Sequence, residues 1–129
     1  MRKQYHFWPA ENAGDGLDAW DVERLIDLSY EIPVLEVDVS SIAEVDSVHW
    51  FDETQEPTVR RVVEHMRLVE EVDTNHPIIL GPDGRVMDGM HRVARALLEG
   101  RTTIVAVRFT RLPAPDYRNC RPSELPYDD

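Results

Sequence analysis

The chain has 129 residues, a formal net charge of −11, 42% hydrophobic residues and one cysteine. That length suits one domain with one core, a single Cys120 cannot form an internal disulfide, and no apolar run approaches the ~18 residues of a membrane span. The first 14 residues, MRKQYHFWPAENAG, have no apolar run leading to a small-residue cleavage site, which speaks against a signal peptide; the expected compartment is the cytoplasm. Residues 1–57 hold three basic residues against 14 acidic ones, whereas residues 58–129 hold 11 of each. A protein that grips duplex DNA by neutralising phosphates needs a basic excess, so direct duplex binding by this chain alone is not expected.

In chain order, residues 1–16 are expected to be an irregular arm held against the body by Tyr5, Phe7 and Trp8. Leu17–Glu31 has helical spacing, with Asp18 as N-cap and a Leu17–Val22 staple. In Val34–Val39, Leu35, Val37 and Val39 share one face of a half-buried strand. Ser40–Glu56 is expected to be a turn or short helical piece and an exposed loop carrying His49-Trp50-Phe51 and the acids Asp52, Glu53 and Glu56. Pro57 is expected to open a helix in which Val59, Val62, Val63, Met66, Val69 and Val72 follow helical spacing. The run HPIIL, residues 76–80, suits a buried strand. Gly81-Pro82-Asp83-Gly84 is a turn, Arg85–Met87 the returning strand, and Thr103–Phe109 another strand after a helix. Strand, helix and strand in that order predict a parallel crossover. Residues 110–129, with four prolines, are expected to lie as an extended tail on the surface, anchored by Leu112, Tyr117, Leu125 and Tyr127. The whole is an α/β (α+β) domain with a small mixed sheet and flanking helices.

The chemistry concentrates in Gly84–Gly100, GRVMDGMHRVARALLEG. Met90, Val93, Ala94, Leu97 and Leu98 form one helical face, and Gly100 stands where a left-handed C-terminal cap belongs. The first helical turn offers unpaired N–H groups and the positive end of the dipole. Arg92 offers a planar fork to phosphate oxygens; His91 offers a proton that is tunable near neutral pH; Gly89 removes a side chain that would block approach. Asp88 can orient His91, help hold a metal with a bound nucleotide, or cap the helix. An ordinary capped helix with a satisfied arginine would carry the same residues. The five histidines, at 6, 49, 65, 76 and 91, have no zinc-type spacing, so no resident metal is expected.

Residues 57–109, about 40% of the chain, resemble the ParB/sulfiredoxin superfamily. The likeness rests on the order and spacing of HPIIL, RVMDGMHRVARALLEG and TTIVAVRF, and is strongest to small stand-alone ParB-like proteins with an MDGMHR box and an upstream W-F motif. It implies a ParB/sulfiredoxin-like fold and a box that handles a nucleotide. In partition proteins this region contacts the phosphates of CTP. In sulfiredoxin a G-x-H-R box binds ATP phosphates, and in related free-serine kinases the box is D-G-H-H-R. By position, Asp88, Gly89, Met90, His91 and Arg92 are then the candidate nucleotide-binding residues, with His91, Asp52 and Glu53 as catalytic candidates. Asp52 or Glu53 would stand in for the upstream base of the kinase-like members. The expected ligand is a nucleoside triphosphate or diphosphate with Mg²⁺, or a phosphorylated small molecule. Met90 replaces the sulfiredoxin cysteine, which excludes that reductase chemistry at this site, and no helix-turn-helix follows. Three functions remain open: phosphate transfer to a small molecule, a non-catalytic nucleotide- or protein-binding module whose acidic half meets a basic partner, and ParB-like nuclease activity.

Overall fold

The computed structural model describes residues 3–10 and 15–127. It is an α+β fold with seven strands and three α-helices among those residues: β1 (Tyr5–Pro9), β2 (Leu17–Asp21), α1 (Val22–Ser29), β3 (Leu35–Asp38), α2 (Val59–Glu71), β4 (Ile78–Leu80), β5 (Val86–Asp88), α3 (Met90–Leu98), β6 (Thr103–Arg108) and β7 (Tyr117–Cys120). Short 3-10 turns occupy Val39–Ser41, Ala43–Asp46 and Pro122–Glu124. None of the described helices is long and apolar enough to cross a membrane.

The strands form two sheets. One is antiparallel with order β1-β2-β7; the other is mixed with order β3-β6-β4-β5. The mixed sheet is covered on both sides, which is why β4 is apolar without alternation. Ile78, Leu80, Val86 and Ala106 pack with Val93 of α3 and Ile42, while Ile79, Met87 and Val107 pack with Leu25 of α1, Trp20 and Phe109. The two sets alternate along the strands, as the pleat requires.

Several expectations change. Within the expected N-terminal arm, Tyr5 to Pro9 form an edge strand paired in register with Asp21 to Leu17, while positions 1–2 and 11–14 of that arm lie outside the described residues. Helix α1 starts at Val22, not Leu17, because residues 17–21 are the middle strand of the first sheet. Asp18 therefore caps no helix. It is buried and accepts from the Asn119 N–H at 3.1 Å, while Asp21 is the N-cap, accepting from the Glu23 N–H at 3.0 Å. Helix α2 is capped by Thr58, so Pro57 lies outside it. The strand parallel to β6 is β4; β5 pairs with β4 antiparallel and is not a neighbour of β6.

The tail is structural. Its β7 pairs with β2, Leu125 is buried, and the Trp20 indole N–H donates to the Pro113 carbonyl at 2.8 Å. Tyr5 donates its hydroxyl to the Pro126 carbonyl, tying both ends of the described chain together. Arg24 adds contacts to the Ala114 carbonyl at 2.8 Å and to Asp116 at 3.1 Å. A chain ending at Phe109 loses the β7 pairing and the Trp20 acceptor. Its urea midpoint is expected to fall well below that of the full chain; equal midpoints would reduce the tail to decoration.

Candidate functional site: the start of helix α3

Helix α3 begins where β5 ends, without a side-chain cap. Gly89 makes the junction. Its φ is +107°, and a Cβ there would sit 2.7 Å from Ile78 Cγ2 and 2.9 Å from an Arg92 terminal nitrogen. A side chain at this position is disfavoured both by backbone strain and by contact with β4. The N–H groups of Met90 and His91 fall in the first turn, with no carbonyl four residues back inside the helix. At the other end Gly100 has φ +71°, and the Arg101 N–H reaches the Ala96 carbonyl at 2.9 Å, the Schellman closure expected from the sequence.

A cleft of about 380 Å³ opens beside this first turn. Asp88, Gly89, Met90 and His91 line one side, His49 and Trp50 another, and Lys3, Tyr5, His6 and Phe7 of the N-terminal segment a third. Lys3 is held by Asp21 at 2.8 Å and Glu23 at 3.6 Å.

Asp88 does not cap the helix, as one reading of the sequence had it. It belongs to β5, and its carboxylate accepts from Arg92 at 3.0 Å across one helical turn. Burial pushes the Asp88 carboxyl upward, opposed by the Arg92 charge and hydrogen bond. Arg92 is turned away from the cleft and lines cavities on the other side of α3; its Nε is buried without a hydrogen-bond partner. Asp52 and Glu53 line no part of the cleft. Asp52 is exposed and folds its own loop: one carboxylate oxygen accepts from the Thr54 N–H at 2.8 Å, the Thr54 hydroxyl at 2.7 Å and the Gln55 N–H at 2.8 Å. These bonds, the Thr54 hydroxyl foremost, hold its carboxyl below the usual range.

That loop delivers Trp50 to a cluster with no counterpart in the sequence reading. The indole stacks on His65 of α2 and on His91 of α3, with centroids 4.5 and 4.7 Å away and planes within 12° and 13°. The two imidazoles are nearly coplanar, and His65 Nδ1 stands 2.8 Å from His91 Nε2. Phe51 meets the His65 ring edge to face. Burial, then the neighbouring His65, His49 and Arg92, lower His91 to about 4; burial also lowers His65. Both shifts favour the neutral rings, and a neutral pair is joined at this distance by one N–H and one lone pair. His65 was legible only as a histidine three residues after Val62 and four before Val69, on the apolar side of α2. The polar link has a second member: Arg95 donates to the Glu70 carbonyl at 2.7 Å, closing the C-terminal end of α2.

Among the described residues, no group of three or more His, Cys, Asp or Glu side chains could hold a metal ion.

Removing the Arg92 charge gives a test with a defined sign. Asp88 is raised in the folded state, so its contribution to stability is fully present below the ordinary carboxylate value of 3.8 and is lost as pH rises through the folded value. Arg92→Ala removes the group that restrains this rise, so the variant should be destabilised by about 2 kcal/mol at pH 7 and by clearly less near pH 3.5. Adding Asp88→Asn should recover part of the loss at pH 7. Chemical denaturation at both pH values measures it, and a pH-independent difference would rule out the pairing as the cause.

Comparison with protein-family models, with curated proteins and with solved structures found no match to this chain.

Proposed function

We propose that the cleft at the start of α3 binds a nucleotide or a phosphorylated small molecule. The observation that carries this reading is the convergence in one cleft of the α3 first turn, the Lys3 ammonium, the His91 imidazole and the rings of Tyr5, Phe7 and Trp50. The N–H groups and positive helix end suit phosphate oxygens, and aromatic walls suit a base. The volume of about 380 Å³ falls within the range of small-molecule sites. The resemblance of residues 57–109 to the ParB/sulfiredoxin superfamily supports the same corner. Arg92 enters this reading as a support for Asp88 and the junction, since its side chain lines the opposite side.

Mg²⁺ fits as a companion of the ligand's phosphates. The cleft wall offers one carboxylate, Asp88, already engaged by Arg92, and Mg²⁺ is commonly held by one or two carboxylates together with phosphates. When bound it would neutralise phosphate charge. Of the three catalytic candidates, only His91 faces the cleft, so binding is favoured over phosphate transfer by Asp52 or Glu53.

A protein-binding role has an observation of its own. An apolar cavity of about 470 Å³ runs between α2 and α3. Around it Met66 is 56% exposed and Leu98 72% exposed, an unusual loss of apolar burial for two adjoining helices. The acidic first half of the chain would suit a basic partner.

The experiment is a titration of isotopically labelled protein with a panel of Mg-nucleotides, following backbone amides and melting temperature. Ligand-induced shifts centred on Met90 and His91, with a rise in melting temperature that grows with ligand concentration, are expected. No shift at these amides with any nucleotide or with inorganic phosphate would remove the reading and leave the apolar groove as the better candidate.

A further inference from the structure

We propose that the His65–His91 pair takes up one proton when an anion occupies the adjoining cleft, so that ligand binding and proton binding are coupled through these two rings. The inference rests on the reading of the cleft as a phosphate site, and it adds His65, which does not line the cleft, as the positioning residue.

The geometry supports a pair that accepts one proton and resists a second. At 2.8 Å, His65 Nδ1 and His91 Nε2 are joined by one N–H and one lone pair. A proton added at a remaining ring nitrogen leaves that bond in place and makes it charge-assisted, with an imidazolium donating to a neutral ring. A second proton would set two N–H groups against each other. The Trp50 face lies parallel to both rings at 4.5 and 4.7 Å, which favours a cation beneath it. The pair also joins two spaces, because His91 lines the cleft and His65 lines the apolar groove between the helices.

Burial first, and the surrounding charges after it, disfavour a proton on the pair when the cleft holds no anion. Arg92 on α3 and His49 on the loop oppose a charge on His91, and His49 also opposes one on His65. Glu64, beside His65 on α2, favours it. Across the cleft, Lys3 from the N-terminal segment is engaged by Asp21 and Glu23, Asp88 from β5 is engaged by Arg92, and His6 and Tyr5 stand on the β1 wall. An anion at the α3 first turn supplies the negative charge that His91 lacks. Such a neighbour typically raises an imidazole by about one unit or more. Between the free and bound midpoints, affinity for the anion should then rise by up to about tenfold for each pH unit of acidification.

The test is an NMR titration of the His65 and His91 ring protons in the full chain. It uses saturating sodium sulfate against sodium chloride at equal ionic strength, because sulfate does not itself titrate over this range. With sulfate bound, as reported by the Met90 and His91 amides, the midpoint of the pair should rise by about one unit or more. In His65→Phe, which keeps a ring under Trp50 and removes both nitrogens, the rise at His91 should fall below half. In His65→Asn, whose amide oxygen can take the place of Nδ1, much of it should return. Should His65→Phe fail to fold, His65→Leu with the Asn variant makes the same comparison. Amide shifts with no change in midpoint, or a His65→Phe response equal to wild type, would overturn the coupling while leaving the anion site standing. Absence of any sulfate response at the amides, together with none from nucleotides, would overturn both.

Discussion

The close seating of α3 on β4 is the constraint from which the rest of this structure follows. Gly89 has a backbone conformation that L side chains rarely adopt, and the space a Cβ would need is filled by Ile78. That contact sets the height of α3 above the mixed sheet. It brings Val93 into the core beside Ile78, Val86 and Ala106, places Arg92 within reach of Asp88, and points the first turn toward the space walled by Lys3, Tyr5 and Phe7. A larger residue would lift the helix, and each of these relations would loosen together.

Helix α2 is held in a different way. Of its apolar stripe only Val69 is buried, while Val59, Val62, Val63 and Met66 stay exposed. Its position depends instead on directional contacts: the His65–His91 bond, the Trp50 indole across both rings, and Arg95 at its C-terminal carbonyls. Polar contacts of this kind are individually modest in water and stronger where solvent is excluded. The result is a helix fixed in register by its polar residues, with an apolar face left over toward the groove.

The sequence carried the local signals and not the long-range ones. The turn at 81–84, the buried run at 78–80 and helix α3 with its Gly100 closure depend on neighbours within a few residues, and they were legible; the buried face of α3 was not, since Val93 and Ala96 are its buried residues while Leu97 and Leu98 are exposed. The N-terminal strand and β7 were not legible. Each exists because β2 lies between them; neither Tyr5–Pro9 nor Tyr117–Cys120 alternates strongly enough to announce a partner, and for Tyr117–Cys120 that partner lies some 100 positions away. The same blindness misplaced the α1 cap: Asp18 and Asp21 are equally good caps locally, and the pairing of residues 17–21 decides between them. At the site, Gly89, Met90, His91 and Asp88 were legible from the box. Lys3, Tyr5 and Phe7 reach the cleft through strand pairing, and His65 through helix packing, so neither spacing nor composition could bring them together.

Substitution at two glycines measures the seating of α3 most directly. Gly89→Ala and Gly100→Ala both force alanine into a positive-φ conformation, but a Cβ at Gly100 meets nothing within 4 Å, whereas one at Gly89 meets Ile78 at 2.7 Å. Strain alone costs roughly 1 kcal/mol. Urea denaturation of the two variants should therefore show a loss for Gly89→Ala that exceeds the loss for Gly100→Ala by at least ~1 kcal/mol, accompanied by shifts of the His65 and His91 ring signals only in the former. Equal losses, with the histidine signals unmoved in both, would contradict a helix held in place by contact between Gly89 and Ile78.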